Sequence, residues 1–334
     1  MAPDSAIREN LSITRHKMIS EECRMISRRG RRCGAFMGGK DKREYFEGWY
    51  LKHQKGSKTI SFIPSYHVEK DGRISILIQV ITEKNAWEFQ FLPSQYYGDR
   101  KRFYCQIGEN VFCEKGIRVN LKSKEAEIQG VLRYGSLTPP SGDIMGPLSY
   151  FTMECNHGIL SLSHKIHGSL LINGERYNLN GGCGYIEKDW GTSFPEGYVW
   201  TQCSVFDKGH MAFTAAVAKV PAGRWKFSGC IAIVYYGGRQ YRLASYLGAR
   251  IFRWNSGEFM ICQGRDLLWV QYPWKGGQSL RSPVKGRMSG KIQEALSCKI
   301  RYRFWRKGKL LLDVTADNGS LEVVNPGCFS SIPT

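Results

Sequence analysis

From residue 45 to the end of the chain, apolar and polar positions alternate with a period of two over short runs. Glycine- or aspartate-bearing turns break the runs apart. The first half reads as strands at 45–53, 59–67, 74–82, 87–93, 116–121 and 127–132, with turns such as Lys55-Gly56, Asp71-Gly72 and Lys115-Gly116 between them. The second half repeats the habit at 158–164, 166–172, 198–206, 211–220, 227–236 and 240–247, with turns at Asn173-Gly174, Asp207-Lys208-Gly209 and Gly237-Gly238. A closing meander runs over 299–306, 309–314 and 320–324, turning at Lys307-Gly308 and Asn318-Gly319. Helical periodicity is scarce, and 286–296 is its best short candidate. The pattern predicts an all-β chain with very little helix, folded as antiparallel barrels or sandwiches.

Two halves are expected. Glu47-Gly48-Trp49-Tyr50 leads into a strand, a Lys-Gly turn and another strand, and Glu196-Gly197-Tyr198-Val199-Trp200 does the same. The run Pro139-Pro140-Ser141-Gly142, extended to Pro147, is the best boundary, giving β domains over 43–146 and 147–334. Residues 1–42 look foreign to both. They are basic, poor in β-branched residues and end in glycines, and are expected to form a flexible extension.

Composition narrows the class. The 334 residues are 42% hydrophobic and 13% aromatic, an ordered globular profile with no apolar run long enough to span a bilayer as a helix. The N-terminus lacks the apolar core of a secretory signal, and Glu9, Glu21 and Glu22 argue against a mitochondrial leader. A cytoplasmic location is expected. The eleven cysteines include no CxxC pair and sit singly in apolar runs, as reduced core residues do. A net charge of +19 allows peripheral contact with an anionic membrane surface. No zinc-finger spacing or RNA-binding aromatic motif accompanies the charge, which argues against nucleic acid.

The chemistry concentrates in residues 181–203, GGCGYIEKDWGTSFPEGYVWTQC. An extended 185–190 puts Tyr185, Glu187 and Asp189 on one face and Ile186, Lys188 and Trp190 on the other. Two carboxyls roughly 7 Å apart on an apolar face repel each other, so one keeps its proton and becomes a general acid. An outward face, or a basic neighbour, would cancel that effect. Over 45–50, Tyr45, Glu47 and Trp49 share one face and Phe46 and Tyr50 the other, so Glu47 either lines a ligand pocket or pairs with a basic neighbour in a core strand. Three of the seven histidines, His157, His164 and His167, fall within eleven residues, close to Glu154 and Cys155. On strands His164 and His167 point to opposite faces and neither pairs with Cys155, so no metal site is expected. Nucleophile-elbow, P-loop and HExxH motifs are absent from the sequence.

These segments resemble the tocopherol cyclase family, including its bacterial members. YFEGWYLK at 45–52, FTMECNHGILSLSHKIHG at 151–168 and GYIEKDWGTSFPEGYVWTQ at 184–202 carry the resemblance, which extends from about residue 43 to the end. It implies kinship with the carotenoid hydratase-like proteins and their two lipocalin-like β-barrel domains. The implied reaction is acid-catalysed cyclisation of a prenylated hydroquinone or similar hydrophobic prenyl compound. An alkene takes up a proton and the phenol oxygen captures the resulting cation. No cofactor is required. The implied acid is Glu187 or Asp189. His157, His164, Tyr50 or Gln202 would hold or deprotonate the phenol, and Tyr185 would assist. Trp49, Trp190 and Trp200 would stabilise the cation, with Glu47, Glu154 and Phe194 completing the substrate pocket. A non-catalytic lipocalin-like carrier of an apolar small molecule is the other function compatible with these residues.

Overall fold

The computed structural model describes residues 33–205, 210–222 and 225–325. Their strands form two antiparallel sheets, one of twelve strands and one of ten. The first sheet carries every strand from Tyr45–Lys55 to Cys183–Gly191, and the second every strand from Tyr198–Val205 to Lys309–Val324. Each sheet curls around its own apolar core. The first core gathers around Trp49, Phe62 and Phe112, the second around Phe213, Phe259 and Tyr302. A third core, with Tyr50, Ile159 and Tyr185 from one sheet and Trp200, Ile233 and Ile292 from the other, fills the space between them. This is the all-β antiparallel architecture that the alternation predicts, in the two-domain lipocalin-like form that the resemblance implies.

The change of sheet falls after Gly191, not in the proline-rich run around 139–147 where the sequence placed it. Strand Cys155–Ile172 returns to the first sheet and pairs with Glu127–Tyr134 and with Cys183–Gly191, which in turn pairs with Tyr45–Lys55. The first sheet therefore takes its central strands from both sides of the prolines.

The expected extension also begins to fold earlier than residue 43. Ala35 and Phe36 are buried, and the backbone of this segment serves the first core directly. Trp49 Nε1 donates to the Gly34 carbonyl, Lys188 Nζ donates to that of Ala35, and the Met37 amide donates to both Glu47 oxygens. Residues 33–37 thus plug the first barrel. Residues 1–32 of the expected extension, like the turn expected at Asp207-Lys208-Gly209, lie outside the described residues.

Two local expectations are corrected. Apart from the turn residue Gly286, the helical candidate 286–296 lies inside the strand Arg287–Arg306, where Ile292, Glu294 and Leu296 point inward with a period of two. The turn expected at Asn318-Gly319 lies inside Lys309–Val324, where Gly319 faces Cys298 at a register shift. It is a bulge, not a hairpin.

Candidate active site between the two sheets

Strand Cys183–Gly191 is buried on both faces, and its alternation sends two kinds of chemistry to two places. Lys188 points into the first barrel. It pairs with Glu47 at 2.6 Å with both side chains fully buried, and Tyr45 Oη donates to the same carboxylate at 2.8 Å. The Lys188 ammonium also lies over the rings of Trp49 and Trp190, at 5.2 and 5.0 Å. Burial works to lower the Lys188 pKa and Glu47 works to raise it. Glu47 and Trp190 are therefore parts of an internal ion-pair network and not of a ligand pocket.

The opposite face looks into a cavity of about 220 Å3 between the sheets. Glu187 and Asp189 line it, with His157 of Cys155–Ile172 beside them. The Tyr185 hydroxyl donates to Glu187 Oε2 at 2.5 Å and lies 3.2 Å from Thr214 Oγ1. His157 Nδ1 stands 2.8 Å from Asp189 Oδ1, and its Nε2 stands 3.6 Å from Glu187 Oε2. Tyr50, Trp200, Phe194 and Glu154 are further lining residues named from the sequence, and Trp49 borders the same space. Trp200 packs edge-on to Tyr50, and its buried Nε1 has no hydrogen-bond partner.

His164 and Gln202 do not take part. His164 packs on Tyr134 with Nδ1 3.0 Å from Ser161 Oγ, and a Cβ on Gly184 would come within 2.3 Å of its ring. Gln202 Nε2 donates to Ser204 Oγ. Neither residue lines the cavity.

Two further buried acids, Glu322 on the cavity wall and Glu294 behind Tyr50, have no place in the sequence reading. Tyr50 Oη donates to Glu294 Oε1 at 2.5 Å, and Tyr198 Oη donates to Glu322 Oε2 at 2.6 Å. Both repeat the Tyr185–Glu187 arrangement, a tyrosine holding one oxygen of a buried glutamate. Glu294 shares the parity of Ile292 and Leu296, a signal hidden by treating 286–296 as a helix.

Burial pushes all three glutamates up to about 8. At Glu187 the His157 cation opposes that rise and Asp189 adds to it. At His157 burial works against the charge, but Asp189 and Glu187 outweigh it and carry the imidazole up to about 9. At neutral pH the site therefore holds an imidazolium, His157, hydrogen-bonded to Asp189 and next to a neutral glutamic acid. His157, Glu187 and Asp189 offer ligand atoms within 4.8 Å of one another. A cation entering there would have to displace the His157 proton, so the trio suits proton chemistry better than metal ligation.

The titration has a sign. From the ordinary glutamate value of 4.5 up to about 8, the folded chain keeps protons that the unfolded chain has lost, so stability falls as pH rises. His157 acts in the same direction: its contribution is complete below 6.5 and is lost as pH passes about 9. Burial holds His53, His67 and His164 down to about 3, which works the other way up to pH 6.5, so the thermal midpoint is expected to be higher near about pH 6.5 than near about pH 9. A midpoint rising across that range would contradict the neutral-acid assignment.

A model of the tocopherol cyclase-like family matches residues 114–325, a span that includes His157, Glu187, Asp189, Glu294 and Glu322. A probable chloroplastic tocopherol cyclase of Oryza sativa subsp. japonica is 26% identical over 215 residues, 60% of this chain and 46% of the relative. The chloroplastic tocopherol cyclase of Zea mays is 25% identical over 166 residues, 45% of this chain and 35% of the relative. The chain matches less than half the length of either. Among solved structures, CghA with Sch210972 has a TM-score of 0.53 at 9% identity, covering 84% of this chain and 88% of that one. A Nitrosomonas europaea protein assigned as AttH has a TM-score of 0.50 at 11% identity, covering 84% and 92%. At such identities the likeness is one of fold alone.

Proposed function

The chain belongs to the tocopherol cyclase-like family, and from that premise we propose that it is an enzyme that closes a ring in a hydrophobic prenylated substrate by proton addition to an alkene. The observation that carries this reading is Glu187, a neutral carboxylic acid on the wall of a cavity lined largely by apolar side chains. A carrier has no use for such a group and would keep its acids in ion pairs outside the cavity.

In the proposed step the Glu187 proton passes to the less substituted alkene carbon, leaving a tertiary cation on its neighbour. The carboxylate left behind is stabilised by the His157 imidazolium, 3.6 Å away, and by the Tyr185 hydroxyl. The rings of Trp200 and Tyr50 face the cavity and attract the cation, at about 1–2 kcal/mol each when desolvated. The rings of Trp49 and Trp190 are already engaged by Lys188. A phenol oxygen of the substrate then bonds to the cation, and its proton returns to Glu187. Substrate and product are isomers, the acid is regenerated, and the apolar walls keep water from capturing the cation first.

Incubation with a prenylated hydroquinone in D2O tests the step. The expected product is a chroman bearing one deuterium at the former alkene carbon. Recovery of bound, unchanged substrate would favour the carrier.

Substrate supply suggests a cytoplasmic enzyme working at a membrane surface. Tyr150, Phe151 and Leu247 are exposed, while Leu148 and Ser245 from the same two turns line the cavity. With a net charge of +19, this rim is expected to dock on anionic lipid. Co-sedimentation with phosphatidylserine vesicles should exceed that with phosphatidylcholine and drop in a Tyr150→Ser/Phe151→Ser variant. Equal recovery from both lipids would remove the docking surface. Among the described residues no helix is long and apolar enough to cross a membrane.

A further inference from the structure

The first sheet contributes a second polar spot to the cavity, and the proposed proton transfer does not use it. Across the sheet, Asp189 pairs with Gly48 and Gly48 with Ser65. A Cβ on Gly48 would stand 3.3 Å from the Ser65 Cβ, so only a glycine leaves the floor between Asp189 and Ser65 open. His67, two residues beyond Ser65 and on the same face, lines the cavity and is 1% exposed. Its Nε2 lies 2.8 Å from Ser65 Oγ, and its buried Nδ1 has no partner. Gln79, another polar side chain on this wall, exchanges both of its amide bonds with the Arg281 backbone.

The bonding around Ser65 fixes the tautomer. The Ser65 hydroxyl gives its one proton to the Leu77 carbonyl at 3.4 Å. The His67–Ser65 bond is then donated by Nε2–H, and a neutral ring has its acceptor lone pair on Nδ1. Burial keeps the ring neutral, pushing its pKa down to about 3. The strands of Ser65 and Asp189 are separated by two strand spacings, roughly 10 Å. That span suits an aromatic ring with an oxygen at each end.

We propose that His67 Nδ1 accepts a hydrogen bond from a second hydroxyl of the substrate, one that takes no part in ring closure, and so selects molecules with a free O–H at that end over their ethers. This role for His67 rests on the cavity being the substrate site. His67 is a specificity-determining residue, oriented by Ser65.

Titration of the intrinsic tryptophan fluorescence tests it without turnover. The probes are a prenylated hydroquinone and its mono-methyl ether, methylated at the hydroxyl that does not enter the ring. The wild-type protein should prefer the free hydroquinone by about tenfold or more. His67→Phe should erase the preference. His67→Asn, whose Oδ1 stands where Nδ1 stood, should keep it. His67→Gln, which mimics Nε2 and its Ser65 contact, should not. Equal affinities in the wild type, or an unaltered preference in His67→Phe, would overturn the role. A preference that follows His67, without any ring closure by the wild type, would overturn the cyclase reading and leave this one standing. Ring closure with no preference would do the reverse.

Discussion

Glu187→Gln is expected to lower turnover of a prenylated hydroquinone by about 10²–10⁴-fold. The amide keeps the size of the side chain and still accepts from Tyr185, but it has no proton to give at the position facing the cavity. Ligand binding, followed by tryptophan fluorescence, should change far less than the rate, because the substrate meets mostly apolar wall. The pH profile separates this role from a structural one. The working form of Glu187 is the protonated one and its pKa is pushed up to about 8, so the wild-type rate should be level at neutral pH and fall as pH rises through about 8. The residual rate of Glu187→Gln should lack that limb. A glutamine variant with wild-type turnover would end the case for Glu187 as proton donor.

Lys188→Met should be the most damaging single substitution for stability, at about 3–5 kcal/mol. It leaves the Glu47 carboxylate fully buried opposite an apolar chain, with Tyr45 and the Met37 amide as its remaining donors. It also leaves the Ala35 carbonyl without its 2.6 Å donor. Coupling Lys188→Met with Glu47→Leu removes both charges and should recover a good part of the loss, since a buried pair replaced whole is often neutral. Chemical denaturation of the two variants reads the difference. A Lys188→Met protein as stable as the wild type would mean that water reaches Glu47.

Much of the fold was legible because most strands are bounded by turn residues and alternate cleanly. The expected 74–82 coincides with the strand Ile74–Thr82. The faces of 185–190 were legible for the same reason: Glu187 and Asp189 do lie opposite Lys188. What alternation could not say is where each face looks. In a sheet with solvent on one side, polarity answers that question, but here one face meets the first barrel core and the other the space between sheets. Both faces are apolar with charges set in them. Glu47, Trp190 and Gln202 were drawn into the pocket for that reason, because aromatic-plus-acid composition is the same for an internal ion pair and for a binding wall. His164 failed differently. It stands seven residues from His157 and pairs across the sheet with Gly184, so it falls on the first-barrel face, away from His157 and Asp189. Glu322 and His67 went unseen because the cavity they line exists only once the two sheets meet.

The pairing of Tyr45–Lys55 with Cys183–Gly191 also sets a schedule for synthesis. The first strand of the first sheet leaves the ribosome well over a hundred residues before its partner on one side. Until residue 191 has emerged, that strand presents an open edge of backbone donors and acceptors. Glu47 likewise waits for Lys188. The nascent chain therefore passes through a long interval with a half-built sheet and an uncompensated acid in its interior, a stage suited to chaperone capture. A fragment ending near residue 146 would be arrested at that stage permanently.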